Sequence, residues 1–303
     1  MTEATPIAAG PARPARAPRR SPSELTFNLD QATVAAHAAG DPDWLTADRE
    51  ASFGRYQSLP VEANQLYTTY VDLRTADLSA VRPWESPASA PEAAAAGAAP
   101  AADAGLPDGV AGLAAFAEDR VEALVLDDAS RAAGVVLDSL QGLIERNESL
   151  GRRLLGDDRT LPLDDKLAQL TRAGWNQGVV LHVPAGVRLD RPIVLRWRTG
   201  QAGHALLTRT ILDLGEGAAA SVIEELEPSG GASGHDDPQA LFTGTLEVHL
   251  AARSELEIAS IQNLATGTVG IQHRQAEIGE GATLHWALAQ LGGRLVRSRV
   301  DNR

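Results

Sequence analysis

Four short stretches of this 303-residue sequence share one pattern: VPAGVRLD (183–190), LGEGAAAS (214–221), LAARSELE (250–257) and IGEGATLH (278–285). Each begins with an aliphatic residue, passes through a short turn and enters a second strand-like run. Glycine holds the fourth position in three of them, at Gly186, Gly217 and Gly281, and Arg253 holds it in the other. Glycine tolerates the positive φ angles that a tight corner requires. We therefore expect a repeated corner at these places.

The segments around these corners predict strand after strand from Trp175 onward, with no sustained helical period. Strands joined by a corner that recurs every 28–36 residues are typical of a solenoid, in which coils stack into a β-helix. The first residues of the four stretches, Val183, Leu214, Leu250 and Ile278, are expected to point into its core. A β-sandwich remains the alternative, because strands spaced by about 8–12 residues also suit that fold.

Two segments upstream have the composition of unfolded chain. Residues 1–22 are rich in proline and arginine, which predicts a disordered tail. Arg19 and Arg20 resemble a twin-arginine export signal, but no apolar stretch follows them, so we do not expect export. Residues 85–109 are rich in alanine and proline and predict a flexible linker.

Residues 23–84, between these two segments, predict a small helical region. A helical pattern of apolar residues that includes Trp44 and Phe53 lies between Pro42 and Pro60. Proline ends a helix because it lacks the backbone N–H and clashes with the preceding turn. One helix is therefore expected between the two prolines.

Residues 110–173 predict a small α/β cap that leads into the β-helix core of residues 174–303. Short alternating runs come first, and a helical pattern follows over residues 137–156. Asp164 and Asp165 then open another helix, because acidic side chains suit the positive end of the helix dipole.

Composition excludes several classes of function. The chain has no cysteine, which rules out a disulfide framework, a thiolate nucleophile and a thiolate-held metal or cluster within these 303 residues. Its net charge of −13 disfavours nucleic acid and anionic membranes as partners. No apolar run reaches the roughly 18 residues of a membrane span. These features predict a soluble protein.

Three histidines, His182, His249 and His285, lie in strand-like stretches beside the repeated corners. Stacked coils could bring them together as metal ligands. None of the chain's histidines has the spacing of a known ligand motif, so half-exposed sheet positions are the favoured interpretation.

Carboxylates and glycines at the corners offer two further hypotheses. GEGA occurs twice, but nucleotide fingerprints require a following helix and strands follow here, which favours β-turns. Glu216 and Glu280 occupy matching corner positions, as the clustered carboxylates of polysaccharide-cleaving β-helices do. Solvated turns are the favoured interpretation, since Glu prefers the surface. Acidic pairs occur at Asp157-Asp158, Glu224-Glu225 and Asp236-Asp237.

Tryptophan and arginine side chains in the strand region could form a binding patch: Trp175, Trp197 and Trp286 with Arg196, Arg198 and Arg209. Tryptophan in a strand more often packs in the core or at an edge. Packing is therefore favoured over a patch.

The stretch LPLDDKLAQLTRAGWNQGVVLHVPAGVRLDRPIVLRW (161–197) resembles the SufB/SufD family of iron–sulfur cluster assembly proteins. The resemblance rests on A-x-W-x-x-G followed by V-P-x-G-V-x-L-x-x-P-I. It extends to the strand block from Leu241 and covers residues 28–303 apart from the linker. DPDWLTADREASFGRYQSLP (41–60) is similar to the opening helix of SufD, and the absence of cysteine also favours SufD over SufB.

The resemblance implies a right-handed parallel β-helix and a cytoplasmic, non-catalytic scaffold that pairs with SufB and engages the SufC ATPase. It implies a transient iron–sulfur cluster within the complex and no cofactor bound stably by this chain. Family members continue past the equivalent of Arg303 through more coils and C-terminal helices, so the chain is expected to be C-terminally truncated and, alone, not to bind SufC. The family's ligand histidine would lie beyond that point, so no catalytic, cofactor or metal residue is assigned. The alternatives are a SufB-like scaffold and a carbohydrate-active β-helix enzyme.

Overall fold

The computed structural model describes residues 20–21, 23–61, 72–84, 106–156, 161–230 and 237–303. The expected tail of residues 1–22 lies outside the described residues, except for Arg20 and Ser21. The expected linker of residues 85–109 also lies outside them except for residues 106–109.

Six α-helices and a 3-10 helix (Leu73–Thr75) are described: α1 (Gln31–His37), α2 (Asp43–Ser58), α3 (Asp128–Ala132), α4 (Leu140–Arg146), α5 (Glu148–Leu155) and α6 (Lys166–Gly174). Helix α2 starts directly after Pro42 and ends before Pro60, as predicted. The predicted helical run of residues 137–156 is wrong for residues 137–139, which lie in a strand. The rest of the run is two helices, because Asn147 ends α4 and caps α5. No helix in the described ranges has the length and apolar character needed to cross a membrane.

The strands of the described residues are β1 (Arg82–Pro83), β2 (Gly112–Ala117), β3 (Arg120–Leu126), β4 (Val136–Ser139), β5 (Gln177–Val183), β6 (Ile193–Thr199), β7 (His204–Leu214), β8 (Ala219–Pro228), β9 (Ala240–Leu250), β10 (Glu255–Gln262), β11 (Thr268–Ile278), β12 (Thr283–Gln290) and β13 (Leu295–Asn302). They confirm the predicted run of strands after Trp175. The fold is therefore mainly β, and every helix of the described residues precedes Trp175.

The strands form two mixed sheets. Sheet A has the order β13-β11-β9-β7-β5-β4, with β1 beside β7, and sheet B has the order β12-β10-β8-β6-β2-β3. From β5 onward successive strands alternate between the two sheets, and each pairs in parallel with the strand two positions along the chain. Antiparallel pairs occur at β2–β3 and β4–β5.

The repeated corners connect sheet A to sheet B. Gly186, Gly217 and Gly281 have φ of +74°, +66° and +66°, and Arg253 adopts +59° at the equivalent position. Backbone hydrogen bonds join each corner to the next, among them that from the Gly186 N–H to the Glu216 carbonyl. The prediction of left-handed corner residues is confirmed, and Arg253 adopts the same conformation at the corner that lacks glycine.

The main core lies between the sheets. One row across sheet A contains Val183, Leu214, Leu250 and Ile278, the four residues that were predicted to point into the core. The first three are buried in this core, and Ile278 is partly buried against it. Burial of each such side chain contributes about 1.5–3 kcal/mol.

The two outer faces differ. Helices α2 and α6 cover the outer face of sheet A, where Leu170 packs with Leu207 and Leu241. Helices α4 and α5 cover its other end, around Val180 and Ile211. The outer face of sheet B follows the alternation of a half-exposed sheet, which is clearest in β8 and β10.

Candidate functional site

The three strand histidines do not meet. His182 and His249 share one row on the outer face of sheet A, but Asp213 lies on the strand between them. His182 Nδ1 is 2.6 Å from Asp213 Oδ2, and His249 Nδ1 is 3.8 Å from Glu277 Oε2. His285 lies on sheet B, with its side chain 69% exposed. Within the described ranges, no three His, Asp or Glu side chains are placed to hold a metal ion.

Asp213 is the electrostatic centre of that row. Burial raises the pKa of its carboxyl, but the hydrogen bond from His182 and the ion pair with Arg153 outweigh burial and lower the pKa overall. Arg153 Nη2 lies 3.0 Å from Asp213 Oδ2. The carboxylate is thus already satisfied by two cationic or donor side chains.

The corner carboxylates are separated as well. The corner that contains Ala252 lies between those of Glu216 and Glu280, which places the two residues two strand spacings apart, about 9–10 Å. Glu216 forms an exposed ion pair with Arg253. Strands β8 and β12 follow the two GEGA turns, as expected. Of the acidic pairs, Asp157-Asp158 and Asp236 lie outside the described residues.

The tryptophan and arginine residues are spread over three locations. Trp197 lies between the sheets and stacks on Phe116, with ring centroids 4.3 Å apart. Trp175 lies on the opposite side of sheet A, under the guanidinium of Arg49 at 4.0 Å. Trp286, on β12, packs against the core between the sheets. Arg196 and Arg198 are on the outer face of sheet B, and Arg209 is on the outer face of sheet A. They do not form one patch.

The structure instead gathers charged side chains where α6 meets the last strands of sheet A. This outer cluster consists of Asp165, His273, Arg297, Arg299 and Asp301. Asp165 Oδ1 caps α6 by accepting the N–H groups of Leu167 and Ala168, as the sequence predicted for an acid at that position.

The other oxygen of Asp165 faces the strands. Asp165 Oδ2 accepts hydrogen bonds from Arg297 Nη2 at 2.8 Å and Arg299 Nη1 at 3.1 Å. Burial raises the pKa of Asp165, but His273 and the Arg297 guanidinium outweigh burial and hold that pKa far below its usual range. The cluster therefore keeps a buried carboxylate charged and fastens α6 to β13.

His273 lies between two carboxylates of this cluster. Its Nδ1 is 3.6 Å from Asp165 Oδ2, and its Nε2 is 3.4 Å from Asp301 Oδ2. The carboxylates face opposite nitrogens of the ring and so do not converge on one point. This geometry holds the His273 ring in position and does not form the compact ligand set that a metal ion requires.

A second charged group, the inner pair of Glu224 and Arg274, lies between the sheets. Arg274 Nη2 is 2.6 Å from Glu224 Oε2, and the two side chains are 4% and 7% exposed. Sequence reasoning missed both groups, because Glu224 and Arg274 occupy strand positions that look polar and solvent-facing. The one indication in the sequence was the two-residue alternation of a strand. Each residue lies an even number of positions from apolar residues of its strand that point inward.

The part of the chain that holds the inner pair and most of the outer cluster matches a known family profile. Residues 197–303 match the core domain of the SufB and SufD proteins of the SUF system for iron–sulfur cluster assembly. The match begins at Trp197 in β6 and runs through β13.

Curated relatives agree with this match. An iron–sulfur cluster assembly SufBD family protein of Staphylococcus epidermidis is 23% identical over 187 residues, which is 61% of this chain and 39% of the relative. A protein of the same description from Staphylococcus aureus is 22% identical over the same shares. The matched region thus spans about two fifths of the length of these relatives. By its core-domain match and these relatives, the chain is similar to the SufB/SufD family of iron–sulfur cluster assembly proteins.

Proposed function

We propose that this chain is a SufD-like, non-catalytic scaffold subunit of the SUF machinery, which pairs with a SufB-like subunit and engages a SufC-like ATPase in the cytoplasm. The observation that carries the proposal is the match of residues 197–303 to the SufBD core domain. The names of the relatives support the same pathway.

The two sheets support a β-helix as the architecture of that scaffold. Strands from β5 to β13 alternate between the sheets and pair in parallel with the strand two positions along, as stacked coils do. The four corners stack through backbone hydrogen bonds on one side. We infer that each coil contributes one strand to each sheet, and that the helix has the right-handed sense of the family.

The side-chain inventory favours a scaffold that handles clusters with a partner. A cluster is normally held by cysteine thiolates, and this chain has none. Any thiolate ligand to a cluster carried as cargo would therefore come from outside these 303 residues. This composition supports the SufD-like role over the SufB-like alternative.

The ionisable groups at the core favour a non-catalytic role. Arg209 is held by Glu247, Arg274 by Glu224, and the arginines of the outer cluster by Asp165. Charges that are mutually satisfied in ion pairs are not poised to transfer protons. The separation of Glu216 and Glu280 by a whole corner gives no support to the carbohydrate-active alternative.

Co-purification tests the pairing. The tagged chain is co-expressed with the SufB-like and SufC-like proteins of its own genome, and the eluate is examined by size-exclusion chromatography with light scattering. We expect the SufB-like subunit to elute with the chain in a fixed ratio. Elution of the chain without it, under conditions where SufB-like and SufC-like proteins bind each other, contradicts the pairing.

Complementation then tests the pathway. In a strain depleted of its SufD-like gene, the longest reading frame that contains this sequence is expected to restore the activity of an iron–sulfur enzyme such as aconitase. A matched control carries Glu224→Gln and Arg274→Met together, which removes the inner pair of the core. Restoration of growth without recovery of cluster-dependent activity would place the function outside cluster assembly.

A further inference from the structure

The inner pair is surrounded by polar side chains from both sheets. Arg274 Nη2 donates to Glu224 at 2.6 Å and to Ser260 Oγ at 2.7 Å. Arg274 Nη1 donates to Gln272 Oε1 at 2.7 Å. These contacts join β8 and β10 of sheet B to β11 of sheet A. The pair is therefore a polar connection across the main core.

Two donors of this group have no acceptor among the described residues. They are Arg274 Nε and Gln272 Nε2, and both atoms are buried. Their residues are each 3% exposed. A buried N–H group without an acceptor destabilises the folded state, because it has lost its hydrogen bonds to water.

A small cavity lies against both residues. Its volume is about 10 Å³, and its lining also includes Thr208, Thr210 and Gly244. Gly244 shapes one wall, because a Cβ atom there would lie 2.8 Å from Thr208 Oγ1 and 3.0 Å from the Phe242 ring. The site thus combines buried donors, hydroxyl groups and a wall at Gly244 where a methyl group would crowd its neighbours.

We propose that this cavity binds one long-lived water molecule that accepts hydrogen bonds from Arg274 and Gln272. The volume corresponds to about one water by the usual measure of roughly 10–15 Å³. Buried waters typically have about 2–4 polar partners. Arg274 and Gln272 provide two donors, and the hydroxyls of Thr208 and Thr210 provide acceptors for the protons of the water.

A neutral guest fits the charges better than an anion does. The positive charge of Arg274 is already balanced by Glu224 at 2.6 Å. An anion beside Arg274 would lose its hydration and face the buried carboxylate of Glu224, and both effects oppose binding. Water satisfies the donors at no cost in charge. It completes a hydrated ion pair that fixes β11 against β8 and β10.

Water relaxation dispersion with ¹⁷O counts the long-lived waters in the full 303-residue chain, and a crystal structure locates them. The test variant is Gly244→Ala, whose methyl group crowds Thr208 and Phe242 at the wall of the cavity. Gly54→Ala is the matched control, because a Cβ at Gly54 meets nothing within 4 Å. We expect Gly244→Ala to lose one long-lived water relative to the wild type, and Gly54→Ala to lose none.

Thr208→Val provides a milder variant should Gly244→Ala fail to fold. It keeps the shape of the side chain and removes one acceptor, so the residence time of the same water should fall. Equal counts and residence times in wild type, Gly244→Ala and Thr208→Val would overturn the proposal. So would bromide density in the cavity of crystals soaked in bromide, because that result identifies an anion site.

Discussion

Sheets A and B share one core but differ on their outer faces. Helices cover the outer face of sheet A, whereas the outer face of sheet B is half-exposed. On sheet B, Ile261 of β10 is 44% exposed on the outer face. On sheet A, Ile211 of β7 points outward and is completely buried beneath α4 and α5. Strands with similar sequences thus have one solvated face in one sheet and none in the other.

Charged residues follow the same division. Arg209 and Glu247 form an ion pair on the outer face of sheet A in which the side chains are 2% and 0% exposed. Arg196 and Glu225 form the equivalent pair on sheet B, at 27% and 24%. A polar residue on a strand therefore indicates solvent only where no helix covers that face.

The largest effect should come from breaking the buried pair. Glu247→Gln leaves the guanidinium of Arg209 buried without its carboxylate, and such changes cost about 3–5 kcal/mol. Glu225→Gln on sheet B is the matched change, and it should cost less than about 1 kcal/mol because water and other charges replace the partner. Urea unfolding of both variants measures the difference. Equal losses would show that the covering helices do not exclude water from sheet A.

The sequence predicts the parts of the fold that depend on neighbours along the chain. Glycines at fixed positions specify left-handed corners at Gly186, Gly217 and Gly281, and the structure confirms them. Pro42 and Pro60 delimit α2 for a similar local reason. Backbone conformation at these places follows from the residue itself, so no distant contact is needed to foresee it.

The charged groups of the core could not be predicted in this way. Asp165 was expected to begin a helix, but its second oxygen contacts Arg297, which is 132 residues further along the chain. Arg209 looks solvent-facing until α2 and α6 are placed over sheet A. These sites depend on which element packs on which face, and the alternation of residues in a strand does not contain that information.

Apolar truncation sharpens the comparison between the outer faces. Ile211→Ala removes buried methyl groups beneath α4 and α5, and we expect a loss of about 3 kcal/mol from burial and cavity formation. Ile261→Ala makes the same chemical change on the exposed face of sheet B and should cost less than about 1 kcal/mol. Guanidinium unfolding compares the two. A small loss for Ile211→Ala would mean that the covering helices collapse into the space.

The acid dependence of stability should depend on Asp165. Its pKa is lowered in the folded state, so its contribution is present above the unfolded value of about 4 and is lost as pH falls through the folded pKa. Asp165→Asn keeps a residue that can cap α6 but removes the charge, and should cost about 2 kcal/mol at pH 7. Urea midpoints at pH 7 and pH 3 measure the gap between variant and wild type. A gap that widens toward pH 3 contradicts the proposed role of the carboxylate.

The smallest expected effect concerns the corner that joins β9 of sheet A to β10 of sheet B. Arg253 adopts a left-handed conformation there, with φ of +59°, where the neighbouring corners have glycine. This conformation costs a residue with a Cβ about 1–2 kcal/mol. The ion pair of Arg253 with Glu216 offsets little of that cost, because the two side chains are 67% and 59% exposed.

Arg253→Gly should therefore stabilise the protein by about 0.5–1 kcal/mol, after allowing for the greater flexibility of glycine in the unfolded chain. Gly217→Ala at the equivalent corner should destabilise it by about 1 kcal/mol for the opposite reason. Glu216→Gln removes the ion pair while it leaves the backbone of Arg253 unchanged, so it separates the two contributions. If Arg253→Gly and Glu216→Gln both lower the urea midpoint by the same amount, the ion pair rather than backbone strain governs this corner, and Arg253 serves to bind the neighbouring corner.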